Sequence, residues 1–325
     1  MLIPEYWAEA SGKTTRHNKP ITIRRFGWSN TSQAEAQNHA EQRVQEAIQA
    51  TLAGENLARR ELKIPYNGSD GVPIREEVLE RHPHCVITRN AYGAQCLNTA
   101  EVLFADIDFE IPRKPAAYSW TIFFLVIFSF VVGKNLFSFP TAFAIAMATW
   151  FISYRIGNLW WSWQQNRHPS AEEQALARVD QFLVSRPLWH VRIYRTPAGL
   201  RLLAMHQTFG ADDAEVAESF VAFRTDKIYV QMCSNQHCFR ARVSPKPWRI
   251  GIQAHLKPRP GVWPIDPNRL PDRQQWVAHY ERTAQGYAAC RFLMEKGSGY
   301  VDPVAEQVRA IHDQMCKALE PLPIA

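Results

Sequence analysis

At 325 residues the chain is longer than one minimal domain, and length alone suggests about two folding units. Hydrophobic residues make up 46% and charged residues 21%, which excludes a disordered tail or a collagen-like repeat. Lys and Arg outnumber Asp and Glu by 37 to 31, and the resulting +6 is a mild excess that suits an anionic partner such as a nucleotide, a nucleic acid or a lipid headgroup.

In chain order, residues 1–10 contain Glu5 and Glu9 and no long apolar core, so no signal peptide is expected. Residues 21–26 read as a strand. Ser32 and Glu35 form a capping-box signature for a helix in which Ala40, Val44, Ala47, Ile48 and Leu52 recur at helical spacing until Gly54. Residues 66–71, Tyr-Asn-Gly-Ser-Asp-Gly, are rich in turn formers. A helix over 73–80, a strand over 85–88 and a clear strand over 101–109 are expected next.

Residues 118–154 break this composition. Residues 118–132 are apolar without a charge, residues 133–140 form a link, and residues 141–154 are apolar again. Leu136, Phe137 and Phe139 extend both runs toward the ~20 residues a helix needs to cross a bilayer. Trp120 at one end and Trp160, Trp161 and Trp163 at the other suit an interfacial aromatic belt. Arg113 and Lys114 precede the pair, Arg155 and Arg167 follow it, and Lys134 alone sits in the link. Positive flanks stay cytoplasmic. The expectation is therefore a two-helix hairpin in the cytoplasmic (inner) membrane, with the lipid bilayer as partner and both termini and the main domain on the cytoplasmic side. A hairpin that dips in and returns without crossing is the main variant, and a buried hydrophobic hairpin in a soluble core is the competing reading.

Beyond the hairpin, Ser170 with Glu173 caps a helix whose Leu176, Val179 and Leu183 share a face. Residues 189–194 and 200–205 read as two strands joined by the turn Thr196-Pro-Ala-Gly199. Asp212 and Glu215 open a helix that buries Val216, Phe220 and Phe223. Two helices, 272–296 and 302–319, are expected at the end, separated by Gly297-Ser-Gly299. With residues 112–169 set aside, strands and helices alternate as in a compact α+β domain with an antiparallel or mixed sheet and flanking helices. The expected organisation is a cytosolic α+β domain in two pieces, 1–111 and 170–271, around a membrane insertion at 112–169, with a C-terminal helical segment at 272–325.

The sharpest chemical signal is the strand Val102-Leu-Phe-Ala-Asp-Ile-Asp-Phe-Glu110. Alternation puts Leu103, Ala105, Ile107 and Phe109 on one face and Phe104, Asp106, Asp108 and Glu110 on the other. Two carboxylates roughly 6–7 Å apart on one face repel each other, and a divalent cation relieves that repulsion. Mg²⁺ or Mn²⁺ with phosphate oxygens completing the shell is the chemistry this pattern suggests. His206 ends the strand 200–206, Asp226 follows a helix, and Arg240, Arg242, Lys246 and Arg249 gather four cations within ten residues. Arg240 and Arg242 alternate onto one strand face, where their forked guanidinium groups suit phosphate oxygens. The six cysteines are too sparse for a disulfide scaffold and are expected reduced. Cys233 and Cys238 bracket His237, half of a zinc site by residue type, but at a poor spacing and with no second Cys/His pair nearby.

These pieces resemble the archaeo-eukaryotic primase superfamily. An acidic strand with Asp106 and Asp108, a strand ending Ala204-Met-His206 and a later Asp226 before a basic strand follow the order of that family's three motifs. The resemblance implies two-metal nucleotidyl transfer to a nucleic-acid 3′-hydroxyl. Asp106, Asp108 and Asp226 would hold Mg²⁺ or Mn²⁺, with Asp226 completing the shell or activating the hydroxyl. His206 and Arg242 would neutralise triphosphate charge. Trp248 and Tyr229 beside the basic residues suit stacking on a nucleic-acid strand. Two other functions fit the same residues: a membrane-tethered binding or assembly module without turnover, and a membrane glycosyltransferase whose Asp-x-Asp pair holds a metal and a sugar nucleotide. A phosphatase of the HAD type fits less well, since Phe109-Glu110 follows Asp108 where that family needs Gly-Thr.

Overall fold

A computed structural model describes residues 3–16, 18–61, 72–110, 114–165, 167, 169–259 and 261–325. The turn-rich stretch at 66–71 and the flanking Arg113 lie outside the described residues. The chain divides into two compact units, one made of Met1–Asp108 with Arg178–Ala325 and the other of Phe109–Ala177.

The first unit is a mixed α+β body with antiparallel sheets. It begins with a hairpin of β1 (Tyr6–Arg16) and β2 (Lys19–Ser29), crossed by helix α1 (Gln33–Leu52). Ser32 caps α1, its Oγ accepting the Glu35 N–H at 3.2 Å. Ala36, Ala40, Val44 and Ala47 form the buried stripe. A side chain at Gly27 would come within 2.1 Å of the Ala40 backbone nitrogen, so the close approach of α1 to β2 requires glycine there.

Two four-stranded antiparallel sheets follow. One runs in the order β3 (Glu77–Arg81), β4 (Val86–Arg89), β5 (Gln95–Thr99), β9 (Phe239–Arg242). The other runs β10 (Arg291–Gly297), β7 (His190–Arg195), β8 (Gly199–Ala204), β6 (Phe104–Asp108). Helices α5 (Ala214–Phe223), α6 (Lys227–Gln236), α7 (Leu270–Ala284) and α8 (Pro303–Cys316) also belong to this unit, and α4 (Ala171–Ser185) is divided between the two units after Ala177. The expected turn at 196–199 joins β7 to β8: Thr196 N–H donates to the Gly199 carbonyl at 2.9 Å, and the Thr196 hydroxyl accepts from Gly199 N–H at 3.0 Å.

Two expected helices are corrected. Residues 73–80 end in strand β3, because Val78 pairs with Thr88 and buried Glu76 turns inward to an ion pair. The expected helix at 272–296 stops at Ala284, and Arg291–Gly297 becomes β10 against β7. Helix-forming residues such as Leu293, Met294 and Glu295 yield there to tertiary pairing. The C-terminal segment is thus part of the first unit and adds a strand to its sheet. Strands β1 and β5 and helix α6 had no counterpart among the elements expected from the sequence.

The second unit contains α2 (Ala116–Leu136) and α3 (Phe139–Gln165), with Pro140 in the first turn of α3, where a missing N–H is tolerated. Gly133 lies against Ala142 and Gly157 against the Tyr118 ring, so the helices run antiparallel with small residues at their contact. The Tyr118 hydroxyl donates to the Tyr154 carbonyl at 3.3 Å. Phe123, Phe124 and Phe128 of α2 and Phe143, Phe151 and Leu159 of α3 are exposed. Among the described residues one helix, over Tyr118–Leu136, is long and apolar enough to cross a membrane, where the sequence suggested two. Arg155 and Asn158 interrupt the second.

Candidate functional site

The two four-stranded sheets meet along a seam between their edge strands β6 and β9. The Tyr229 hydroxyl closes it from both sides, accepting from Arg240 N–H at 3.2 Å and donating to the Phe104 carbonyl at 2.9 Å. Arg201 crosses the same seam, its Nη1 donating to the Arg242 carbonyl at 2.8 Å. At this seam lies a cavity of about 260 Å³. Asp106 and Asp108 reach it from β6, Asp226 from the start of α6, and Arg240, Arg242, Lys246 and Arg249 from β9 and the loop after it. Arg201, Asn90 and Tyr92 complete much of the wall.

The three acids are in different states. Asp106 is taken up by Arg201, with Nε to Oδ1 at 2.8 Å and Nη2 to Oδ2 at 3.2 Å. The antiparallel register puts these two residues directly opposite each other on β6 and β8. Asp226 uses Oδ1 to cap α6, accepting from Ile228 N–H at 2.7 Å and Tyr229 N–H at 3.2 Å. Asp108 has no ion-pair partner among the described residues. Burial, followed by the charges of Asp106 and Asp226, raises its pKa, against Lys246 and Arg249. The three carboxylates share one cavity, but they do not all close to within 4.8 Å of one another. Asp108 and the second oxygen of Asp226 remain available to a cation, which suits a single Mg²⁺ or Mn²⁺ completed by phosphate oxygens. That is a smaller donor set than the three carboxylates the sequence suggested.

On the basic side, burial and then the neighbouring charges of Arg242 and Arg249 lower the Lys246 pKa to about 8. Burial and Arg242 also lower that of Arg249. Among the described residues no carboxylate stands within ion-pair distance of Arg242, Lys246 or Arg249. Three cations thus crowd together with no close ion-pair partner among the described residues, an arrangement that an anion would relieve.

His206 is the first candidate site residue that the structure places differently. Strand β8 runs antiparallel to β6, so Gly199 pairs with Asp108 and Leu203 with Phe104. His206 therefore lies past the far end of the pairing, and it does not line the cavity. Its ring packs on Trp189, with centroids 4.7 Å apart, and on Phe209 at 5.4 Å. Burial lowers its pKa, and its ring is held by aromatic packing outside the cavity.

Arg240 is the second. It lines the cavity, but its Nη2 donates to Glu76 Oε1 and Oε2 at 2.8 and 2.6 Å, and its Nη1 to Asn98 Oδ1 at 3.0 Å. Those bonds commit it to the fold. Tyr229, expected to stack on a nucleic acid, spends its hydroxyl on the seam, whereas Trp248 is exposed beside Lys246, 5.4 Å from its ring centre. Among the described residues Cys233 and Cys238 join no group of three possible metal ligands, and His237 turns outward to Asp212 at 2.7 Å.

Arg201 and Tyr92 were missed. Arg201 carried only a charge opposite to that of Asp106, because the pairing of β6 with β8 that sets them across from each other spans 95 positions. Tyr92 had none, since only the fold brings the β4–β5 turn to the cavity. No protein-family model, curated protein or solved structure matches the chain.

The two jobs of Asp226 can be separated. Asp226→Asn keeps an acceptor for the α6 cap and is expected to leave stability nearly unchanged, whereas Asp226→Ala is expected to cost about 1 kcal/mol. Urea denaturation of the full chain measures both, and equal losses in the two variants would contradict the capping role.

Proposed function

We propose that this chain is a membrane-anchored, primase-polymerase-like domain that binds a nucleoside triphosphate together with a divalent cation. One observation carries the reading: Asp106, Asp108 and Asp226 face Arg242, Lys246 and Arg249 across a single cavity, with both signs of charge crowded. Phosphate oxygens would satisfy the cations. Mg²⁺ or Mn²⁺ at Asp108 and Asp226 would supply the charge that bridges carboxylate to phosphate. A neighbouring cavity of about 280 Å³ shares Tyr92 and is lined by Pro247, Trp248 and Ile252, which supports an aromatic seat for the base.

The test is a titration of the full chain in detergent with a fluorescent ATP analogue, with and without Mn²⁺. The expected result is Mn²⁺-dependent binding that Asp108→Asn weakens by about tenfold or more. Binding that ignores both Mn²⁺ and the substitution would end the reading. Preference for a sugar nucleotide over ATP would favour the glycosyltransferase instead.

The third carboxylate, Asp106, favours nucleotidyl transfer as the further reading. Extension of a labelled primer, lost in Asp108→Asn, supports it. Nucleotide binding without extension leaves a tethered binding module, the reading that the Asp106–Arg201 pair favours.

The exposed apolar surfaces of α2 and α3 support anchoring by both helices, with the positive flanks Lys114, Arg155 and Arg167 on the cytoplasmic side. Alkaline carbonate is expected to leave the chain in the membrane pellet and detergent to release it. Release by carbonate or salt alone would rule out insertion.

A further inference from the structure

A second constellation lies in the core of the first unit, among residues that do not line the cavity. Cys290 precedes β10, while His312 and Cys316 stand one turn apart on α8. All three are fully buried, and their Sγ, Nε2 and Sγ atoms lie within 4.8 Å of one another. His312 Nε2 is 3.4 Å from Cys316 Sγ and 3.9 Å from Cys290 Sγ. A tetrahedral zinc ion with Zn–S of ~2.3 Å and Zn–N of ~2.05 Å sets a sulfur-to-nitrogen edge of ~3.6 Å, and the two observed distances bracket that value.

The surroundings support the same assignment. His312 Nδ1 faces Asp313 Oδ1 at 3.1 Å, and Asp313 is itself fixed by the Tyr194 hydroxyl at 2.6 Å and by Arg192 Nη2 at 2.9 Å. A carboxylate on the far ring nitrogen orients a metal-binding histidine and directs its Nε2 lone pair at the ion. We propose that Cys290, His312 and Cys316 bind a zinc ion. The two thiol protons leave to solvent as the ion enters, and Zn²⁺ with two thiolates sums to zero charge, which suits a fully buried position. A small exogenous ligand takes the fourth position. The site ties α8 to the start of β10. It also sits next to the cavity's own support, since Arg201 Nη1 is 3.4 Å from His312 Nε2 while its other nitrogens hold Asp106.

The full chain, purified in detergent without chelator, is the material for the test. Plasma mass spectrometry is expected to find about one zinc ion per chain in wild type and a small fraction of that in Cys290→Ser and His312→Gln. Cobalt exchanged into wild type is expected to give a thiolate-to-cobalt band in the near ultraviolet and tetrahedral d–d bands in the visible. That spectrum decides the matter if the variants fail to fold. Three results would overturn the proposal: no zinc and no cobalt–thiolate band in reduced wild type, metal retained in full by both folded variants, or a Cys290–Cys316 disulfide in metal-free protein. None of these readouts depends on nucleotide binding.

Discussion

Glu76→Ala is expected to destabilise the first unit by about 3–5 kcal/mol, well beyond the effect of an ordinary surface substitution. Glu76 and Arg240 are both nearly inaccessible, with side chains 1% and 6% exposed. Glu76 also accepts from the Thr88 hydroxyl at 2.7 Å, so its removal leaves a guanidinium and a hydroxyl short of partners inside the sheet. The penalty comes from the stranded charge more than from the lost attraction. Removing both charges, as in Glu76→Leu with Arg240→Met, is therefore expected to recover much of the loss. Urea denaturation midpoints of the full chain measure the comparison. A double variant as unstable as Glu76→Ala alone would show that the pair stabilises the fold by direct attraction.

The second large effect concerns ligand affinity. Arg242→Gln and Lys246→Gln are each expected to weaken triphosphate binding roughly ten- to a hundredfold, since a charge-assisted contact is worth about 1.5–3 kcal/mol. Lys246 adds a pH signature. With its pKa lowered to about 8 in the free protein, it is charged below that pH and loses its proton as pH rises through it. Wild-type affinity should fall from pH 7 to pH 9. Lys246→Arg, charged throughout this range, should flatten the fall. An identical pH profile in the two proteins would remove Lys246 from the binding surface.

The parts of the site that could be read in the sequence were those set by short-range rules. Alternation along β6 put Asp106 and Asp108 on one face, and capping residues marked α1 and α4. His206 shows where such rules stop. Parity says which face of a strand a side chain takes, but only the register of the partner strand says how far along it stands, and the register here favours Arg201 over His206. Arg240 failed for a different reason: its partner Glu76 is 164 positions away, and nothing local announces it. Asp226 caps α6 two positions after Arg224, whose left-handed backbone at φ 55° ends α5, so two helices meet where one helix and a loop were expected. The cluster of Cys290, His312 and Cys316 was equally hidden, since its first member lies in a stretch that looked helical.

The place where the second unit enters the chain has a consequence for how the molecule is assembled. β6 ends at Asp108, and its hydrogen-bonding neighbour β8 begins at Gly199, after the whole of the Phe109–Ala177 unit. On the ribosome the acidic edge therefore emerges long before the strand that will cover it, and it waits unpaired while α2 and α3 are being made. Closing that ladder is a late, long-range event. Newly made chains should depend on early capture of the apolar helices, which keeps an open strand edge and a greasy hairpin from finding each other's copies first.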